Sequence, residues 1–417
     1  MTILHGILAI IVFLSLGILL SENRRAIRLI PLFVCLFIQF ILAILLFKLQ
    51  LFLSVFSAIN QGVLALNHAT LQGTGFVFGY VGGAPLPFKL NGHGSTFNLA
   101  FQAMPMVMVI SALSALLFYV RILPVIIKGV SYVVSKSLGL GGALATAVSA
   151  NLFIGMAESP LVIRPYLHRL SRSELFTLMT CGMAGVAGTV MALYVFILNP
   201  IMHGVMHHIV AAVLITVPAV VLMSKIIVPE TTPVTEGHDV YVEPSLSAID
   251  ALLKGVKVGG EILISILSVL IVLVALVACA DALLNLLPAI YGHKVSLEYL
   301  LGFIFEPFMW LMGIPWNQAH IAGNLMATRM VLNELVSYQQ LAHLPAGALD
   351  AKSQLIMIYA MCGFANISGL GIMLATYNVL IPERRKEFVS LGLKALLAGT
   401  ICTCMTGTFV GLLSGLS

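Results

Sequence analysis

Charged side chains are scarce in this sequence. Only 9% of its 417 residues are Asp, Glu, Lys or Arg and 60% are hydrophobic, whereas an ordinary soluble protein is about a quarter charged. That excludes a soluble globular chain and points to a polytopic membrane protein. Cysteine is also sparse. Cys35, Cys181, Cys279, Cys362, Cys402 and Cys404 all fall in apolar runs, where a free thiol packs as a small hydrophobe, and Cys402 and Cys404 lack the two-residue gap of a zinc knuckle. "GTGFVFG" at 73–79 lacks the Gly-Lys-Ser/Thr ending of a phosphate-cradling loop. No zincin motif or nucleophile elbow is present, and His203 and His207, four apart on one helix face, have no third metal ligand beside them.

What is there in quantity is hydrocarbon. Runs long enough to cross a bilayer need about 20 apolar residues, and they recur near 3–20, 29–49, 98–120, 174–199, 204–225, 258–286, 353–377 and 389–413. The first reads as a span and not as a signal peptide, because no Lys or Arg precedes it and Arg24, Arg25 and Arg28 follow it. The tendency of basic loops to stay in the cytoplasm places both termini outside. The remaining basic residues, among them Lys136, Arg172, Lys225 and Arg385, then fall on the cytoplasmic side only if 138–168 and roughly 315–346 each enter and leave by one face. The net charge of +5 is therefore a matter of topology, and its dispersal between spans excludes a nucleic-acid patch.

One polar stretch, "VPETTPVTEGHDVYVEPSLS" at 228–247, divides the chain as a cytoplasmic linker. Residues 50–97 and 287–314 are apolar but interrupted by Gly, Pro, Asn and His, and are expected to form interfacial helices and loops. The expected organisation is an N-terminal scaffold over 1–97, a first repeat over 98–226, the linker within 227–257, and a second repeat over 258–417. The two repeats rest on "CGMAGVAG" at 181–188 and "CGFANISG" at 362–369, which agree at four of eight positions. Each is preceded by a candidate hairpin with a carboxylate near its tip, Glu158 or Glu334. A hairpin plus two spans, with a single span between the copies, makes the repeats inverted, an architecture of many secondary transporters.

A charge at the centre of a spanning helix costs about 2.5–3.5 kcal/mol, so intramembrane carboxylates face a cavity or a partner. Glu158 stands in "NLFIGMAESPLVIRPY", with Asn151 and Gly155 before it and Pro160 and Pro165 after it. Gly and Pro favour a broken helix there, and the alternative role for Glu158 is to cap the second half-helix. For Glu334 the alternative is a solvated or Arg329-paired charge, and for Asn366 and Ser368 it is helix-packing glue. Carboxylate, amide and hydroxyl groups beside the aromatic face of Phe364 suit a small, uncharged, polyhydroxylated ligand with a flat ring.

On these segments the chain resembles the concentrative nucleoside transporters. The resemblance runs from "LLSENRRAI" through "GTGFVFG", "RILPVIIKGV", "NLFIGMAESPLVIRPY", "GIPWNQAHIAGNLMATRMVLNELVSY" and "CGFANISGLGIM" to "LKALLAGTICTCMTGTFVGLL", essentially the whole chain. It implies an all-α elevator-type transporter of about eight transmembrane helices plus two re-entrant hairpins in inverted repeats, assembled as a homotrimer in the bacterial inner membrane. It implies nucleoside import by symport with H+ or Na+, without other cofactors or nucleic acid.

By position, the resemblance assigns Glu334 and Asn366 to the ribose hydroxyls, with Ser368 and Gly369 beside them, and Phe364 and Val190 to the sugar or base. It places the tip residues Gly155, Met156, Ala157 and Glu158 against the base. A coupling cation would lie near Asn151, Ile154, Gly185 and Val186. Met156 and Ala157 replace the Gln and Thr or Ser common in the family, Gly185 replaces a Ser usual in sodium-coupled members, and Gly369 replaces a common ribose-contacting Ser. The altered tip leaves a modified nucleoside or a nucleobase as an alternative substrate. The loss at 185 leaves proton coupling through Glu158 or Glu334 as a rival to sodium. A more distant alternative is a membrane enzyme using those two carboxylates as acid and base.

Overall fold

The computed structural model describes residues 3–48, 50–89, 97–202, 204–237, 239–241, 245–286, 288 and 295–414. Its described residues form helices joined by turns and loops, without strands. In hydrocarbon this is what backbone hydrogen bonding demands, because a helix satisfies its own N–H and C=O groups.

The first three helices are α1 (Ile3–Leu19), α2 (Leu29–Lys48) and α3 (Gln50–Phe78), followed by α4 (Met106–Tyr119) and α5 (Ile122–Leu138). The first hairpin is α6 (Gly142–Ile154), returning through the short turns α7 (Ser159–Val162) and α8 (Arg164–Leu167). Next come α9 (Arg172–Ala184), α10 (Gly188–Leu198) and α11 (Val205–Ile227). Beyond the linker lie α12 (Ala248–Leu284) and α13 (Leu297–Leu311). The second hairpin is α14 (Trp316–Val331) with α15 (Glu334–Ala342), followed by α16 (Ala351–Met361), α17 (Ile367–Leu380) and α18 (Arg385–Leu413). Many starts are written in the sequence: Ser171, Ser247, Ser296, Asn333, Asp350 and Asn366 each accept a backbone N–H of the first turn through the side chain.

Three expectations change. Residues 50–78 form one continuous helix in place of several interfacial pieces; Asn60, Gly62, Gly73 and Gly75 lower helix propensity without breaking it, and the chain turns only at Gly79 and Gly83, both at positive φ. Part of the expected interfacial stretch 287–314 is the single helix α13, which carries Pro307 internally; residues 287 and 289–294 lie outside the described residues. The runs 174–199 and 353–377 are broken spans, as the family resemblance implies. Each is a pair of half-length helices, α9 with α10 and α16 with α17. Among the described residues, five helices are long and apolar enough to cross a membrane alone, over 29–47, 99–119, 205–227, 248–284 and 382–413. The two broken pairs and the shorter α1 account for the other expected crossings. Cys279 also departs from expectation, being exposed on α12 while the other five cysteines are buried.

Two bodies meet. Helix α12 packs along α4 through Gly255 and Gly259, where an added Cβ would lie 2.7 Å from Ala112 Cα or 2.6 Å from Met108 Cα. This is the close approach that small residues four apart permit. The hairpins, the broken pairs, α11 and α18 form the other body, which holds most of the buried core. Helices α1 and α2 pack on that second body through α11 and α18. The α1–α2 turn is tied to it by Glu22, which accepts from Arg172 Nε at 2.9 Å, Arg172 Nη2 at 2.8 Å and Lys394 Nζ at 2.8 Å. A cleft lined by α10, α12, the hairpin tips and the helix breaks lies between the two bodies.

Candidate functional site

The first hairpin turns at Gly155, whose φ of 84° and ψ of −178° suit glycine alone. A Cβ there would also lie 2.6 Å from Ala187 Cβ in the break between α9 and α10. The turn leaves Glu158 at the start of α7, partly exposed and making no capping hydrogen bond. The capping alternative is therefore not realised, and the carboxylate faces the cleft.

The second tip is built differently. Asn333 caps α15 by accepting from Val336 N at 3.0 Å, which places Glu334 in the first helical turn, only 4% exposed. Its Oε1 accepts from Tyr194 Oη at 2.7 Å and its Oε2 from Asn366 Nδ2 at 2.8 Å. Glu334 is thus shielded from solvent and has no ion-pair partner among the described residues. The guanidinium of Arg329, fully buried, donates instead to Gly363 O through Nε and Nη2, both at 3.2 Å.

The two helix breaks cross. Phe364 N donates to Gly185 O at 3.2 Å, and a Cβ on Gly363 would lie 2.6 Å from Ala184 O. The segments that look alike in sequence are therefore in backbone contact at the centre of the molecule. Asn366 has two roles there, since its Oδ1 accepts from Gly369 N at 2.6 Å to cap α17 while its amide reaches Glu334. Gly369 is explained by the same geometry: a Cβ would collide with Phe364 O.

Between the tips and breaks lies a cavity of about 360 Å3, within the size range of small-molecule sites. It brings together Ile154, Gly155, Met156, Ala157 and Glu158 of the first tip, Val190 of α10, and Glu334 of the second tip. Phe364, Asn366, Ser368 and Gly369 of the second break complete the expected set. Asn151, Gly185 and Val186 do not line it; they are buried behind the first tip. There Asn151 Nδ2 donates to Cys181 O at 3.0 Å and Asn151 Oδ1 accepts from Ser159 Oγ at 3.4 Å. A side chain at 185 would collide with the Asn151 amide nitrogen, so the amide occupies the space that a serine there would need.

Sequence reasoning missed the wall opposite the tips. Val258, Glu261, Ile262 and Ser265 of α12 line the cavity, as does Met104 just before α4. It also missed Tyr194, which looks like any aromatic in an apolar run. No Lys or Arg lines the cavity among the described residues, so its polar groups are carboxylate, amide and hydroxyl against apolar walls. A second cavity of about 400 Å3 shares Ile154, Glu158 and Val258 with the first and continues past Arg164, Tyr241 and Lys254. The cleft therefore leads from the tips toward the face that carries the linker. His203 lies outside the described residues; His207 sits beside His208, whose Nδ1 is 3.1 Å from Tyr359 Oη.

Comparison with known proteins bears on this geometry. Family models match in three segments: "Na+ dependent nucleoside transporter N-terminus" over 8–81, "Nucleoside recognition" over 100–201 and "Na+ dependent nucleoside transporter C-terminus" over 208–411. The nucleoside permease NupC of Helicobacter pylori is 31% identical, covering 99% of this chain and 98% of its own. The uncharacterized transporter YutK of Bacillus subtilis is 33% identical over 99% of this chain and all of its own. Among solved structures, CNTnw in an inward-facing substrate-bound state superposes with a TM-score of 0.88 at 30% identity over the full length of both chains. The chain is a polytopic membrane protein and belongs to the concentrative nucleoside transporter family, whose members take up nucleosides by coupling them to a cation.

Proposed function

We propose that the cavity between the two hairpin tips and the two crossed breaks is the nucleoside site, and that the protein imports its substrate across the bacterial inner membrane. The observation that carries this is the convergence on Glu334: a buried carboxylate from the second tip, with the Asn366 amide of the second break and the Tyr194 hydroxyl of α10 each within hydrogen-bond distance of it. Such a cluster suits vicinal hydroxyls, which both donate and accept. Asn366 and Ser368 stand beside it for the rest of the sugar, and Phe364 and Val190 offer apolar surface to the ring. Glu158 reads the N–H edge of the base, with Met156 and Ala157 contributing shape without hydrogen bonds. In this reading the wall from α12, with Glu261, stays fixed while the tips move.

For the coupling ion, the polar cluster behind the first tip favours sodium. Asn151 Oδ1 and Ser159 Oγ, with the backbone carbonyls at the end of α6 and around Gly185 and Val186, are neutral hard oxygens, which suit a small alkali cation. Among the described residues, no carboxylate is hydrogen-bonded to them to carry a proton. Proton coupling through Glu158 is the second reading, favoured by its free carboxylate in the cleft. The exposed apolar face of α12, with Ile264, Ile271, Val272 and Leu283 uncovered, supports assembly with further copies as a homotrimer. The basic residues around the linker support that face as cytoplasmic, with both termini outside.

The test is uptake of labelled uridine, adenosine and guanosine into proteoliposomes under an imposed sodium gradient or an imposed pH gradient, with Glu334→Ala as control. Sodium-driven uptake that Glu334→Ala abolishes is expected. Undiminished uptake by Glu334→Ala would remove the proposed site, and uptake driven by pH alone would replace sodium with the proton. Met156→Gln with Ala157→Thr tests the base contact: the uridine-to-adenosine ratio of kcat/KM is expected to move about tenfold or more, and an unmoved ratio places the base elsewhere.

A further inference from the structure

Apart from the cleft, a third cavity of about 410 Å3 opens on the linker face, between the start of α2, the end of α5 and the end of α11. Three cations line it: Arg28, Lys136 and Lys225. Its two carboxylates are already engaged. Glu174 accepts from Ser171 N at 2.9 Å, Thr235 N at 2.8 Å and Thr235 Oγ1 at 2.7 Å. Glu230 accepts from Ser171 Oγ at 2.7 Å and from Thr232 at 2.9 Å or more. The cations are less fully used: Lys225 donates to Leu138 O at 3.1 Å, Lys136 lies 5.7 Å from the Tyr132 ring centroid, and Arg28 has no ion-pair partner among the described residues.

The cavity sits where a headgroup would. Lys225 is two residues from the end of the spanning helix α11, and Arg28 immediately precedes α2. The wall on the α2 side is Ile30, 80% exposed, and Val34, 42% exposed, side chains that meet acyl chains in a bilayer. Cations grouped at the end of an apolar span, beside an open apolar wall, are the arrangement that binds an anionic headgroup while its tails remain in the leaflet. We propose that Arg28, Lys136 and Lys225 form a site for the phosphate ester of an anionic phospholipid in the linker-side leaflet, distinct from the nucleoside cleft.

Native mass spectrometry of the detergent-solubilised full chain, titrated with phosphatidylglycerol or phosphatidylcholine, tests this. Each basic residue near such a surface contributes about 1 kcal/mol, so Lys136→Gln is expected to weaken phosphatidylglycerol binding about fivefold and Arg28→Gln with Lys136→Gln about thirtyfold. Both side chains are exposed, so the variants should fold, and retained nucleoside uptake checks that they do. Arg385→Gln with Lys386→Gln removes the same charge from another exposed part of that face and should leave binding unchanged. Equal loss in the two double variants, or equal binding of phosphatidylcholine, would overturn the site. Inorganic phosphate is the third arm: if it binds in this cavity and phosphatidylglycerol does not, the lipid assignment is wrong.

Discussion

Asn366 Nδ2 lies 2.8 Å from Glu334 Oε2, so the second helix break is hydrogen-bonded to the tip of the second hairpin. The other oxygen of that carboxylate is held by Tyr194 at 2.7 Å. A hydrogen bond to a charged group contributes about 1.5–3 kcal/mol, and two of them hold the Glu334 side chain in one orientation.

Tyr194→Phe removes one of these donors and little volume. Uptake kcat/KM is expected to fall about tenfold or more, with the melting temperature close to that of the parent. Asn366→Ala removes the other donor and also the cap of α17, so uptake should fall and stability should drop by about 1 kcal/mol. Initial rates in proteoliposomes, with thermal melts of the same preparations, separate the two outcomes.

The difference between these residues also explains what could be read from the sequence. Glu334 and Asn366 are polar groups in apolar surroundings, and the eight-residue repeat marked the second of them. Tyr194 was invisible because a tyrosine in "MALYVFIL" resembles any core aromatic, and its partner is 140 residues away. The breaks at 185–187 and 362–366 escape hydropathy because Gly, Ala, Val and Cys are as apolar in an extended segment as in a helix. Glu261 was hidden for a geometric reason: its direction depends on the rotation of α12, which is set where Gly255 and Gly259 meet α4.

Arg329 reaches the second break from the hairpin, donating twice to Gly363 O. Arg329→Met keeps much of the volume but leaves that buried carbonyl without these donors, a change of about 1–3 kcal/mol. A melting temperature lowered by several degrees is expected, together with reduced uptake, because Gly363 adjoins Phe364. A melt unchanged from the parent would mean that the break is held by its own backbone contacts with Ala184 and Gly185.

Acid should loosen the linker face. The Arg172 guanidinium, with Lys394, holds the Glu22 carboxyl at about 2, below its ordinary value of 4.5. A depressed carboxylate pKa adds stability that is complete above the unfolded value and is lost as pH falls through the native one. Glu22→Gln is therefore expected to melt below the parent at neutral pH, with the gap closing between about pH 4.5 and 2. Because Glu22 is partly exposed, added salt should also narrow the gap. Melts of both proteins across that range, at two salt concentrations, check both statements.

The pair Asn151 and Gly185 offers a test of the polar cluster behind the first tip that does not depend on naming the ion in advance. A side chain at 185 meets the Asn151 amide, which is itself held by Cys181 O and Ser159 Oγ. Gly185→Ser alone must push that amide aside, at about 1–3 kcal/mol for overpacking a tight site, so uptake is expected to fall about tenfold. Asn151→Ser alone should also reduce uptake, by removing the amide oxygen. Combined, the two serines trade space, and uptake is expected to recover above either single variant, a non-additivity that residues in direct contact produce. If the recovered transporter keeps its dependence on the sodium gradient, with a shifted half-saturation for sodium, the cation lies at this cluster. A purely additive loss, with the sodium half-saturation unchanged in every variant, would place ion coupling elsewhere and return attention to Glu158.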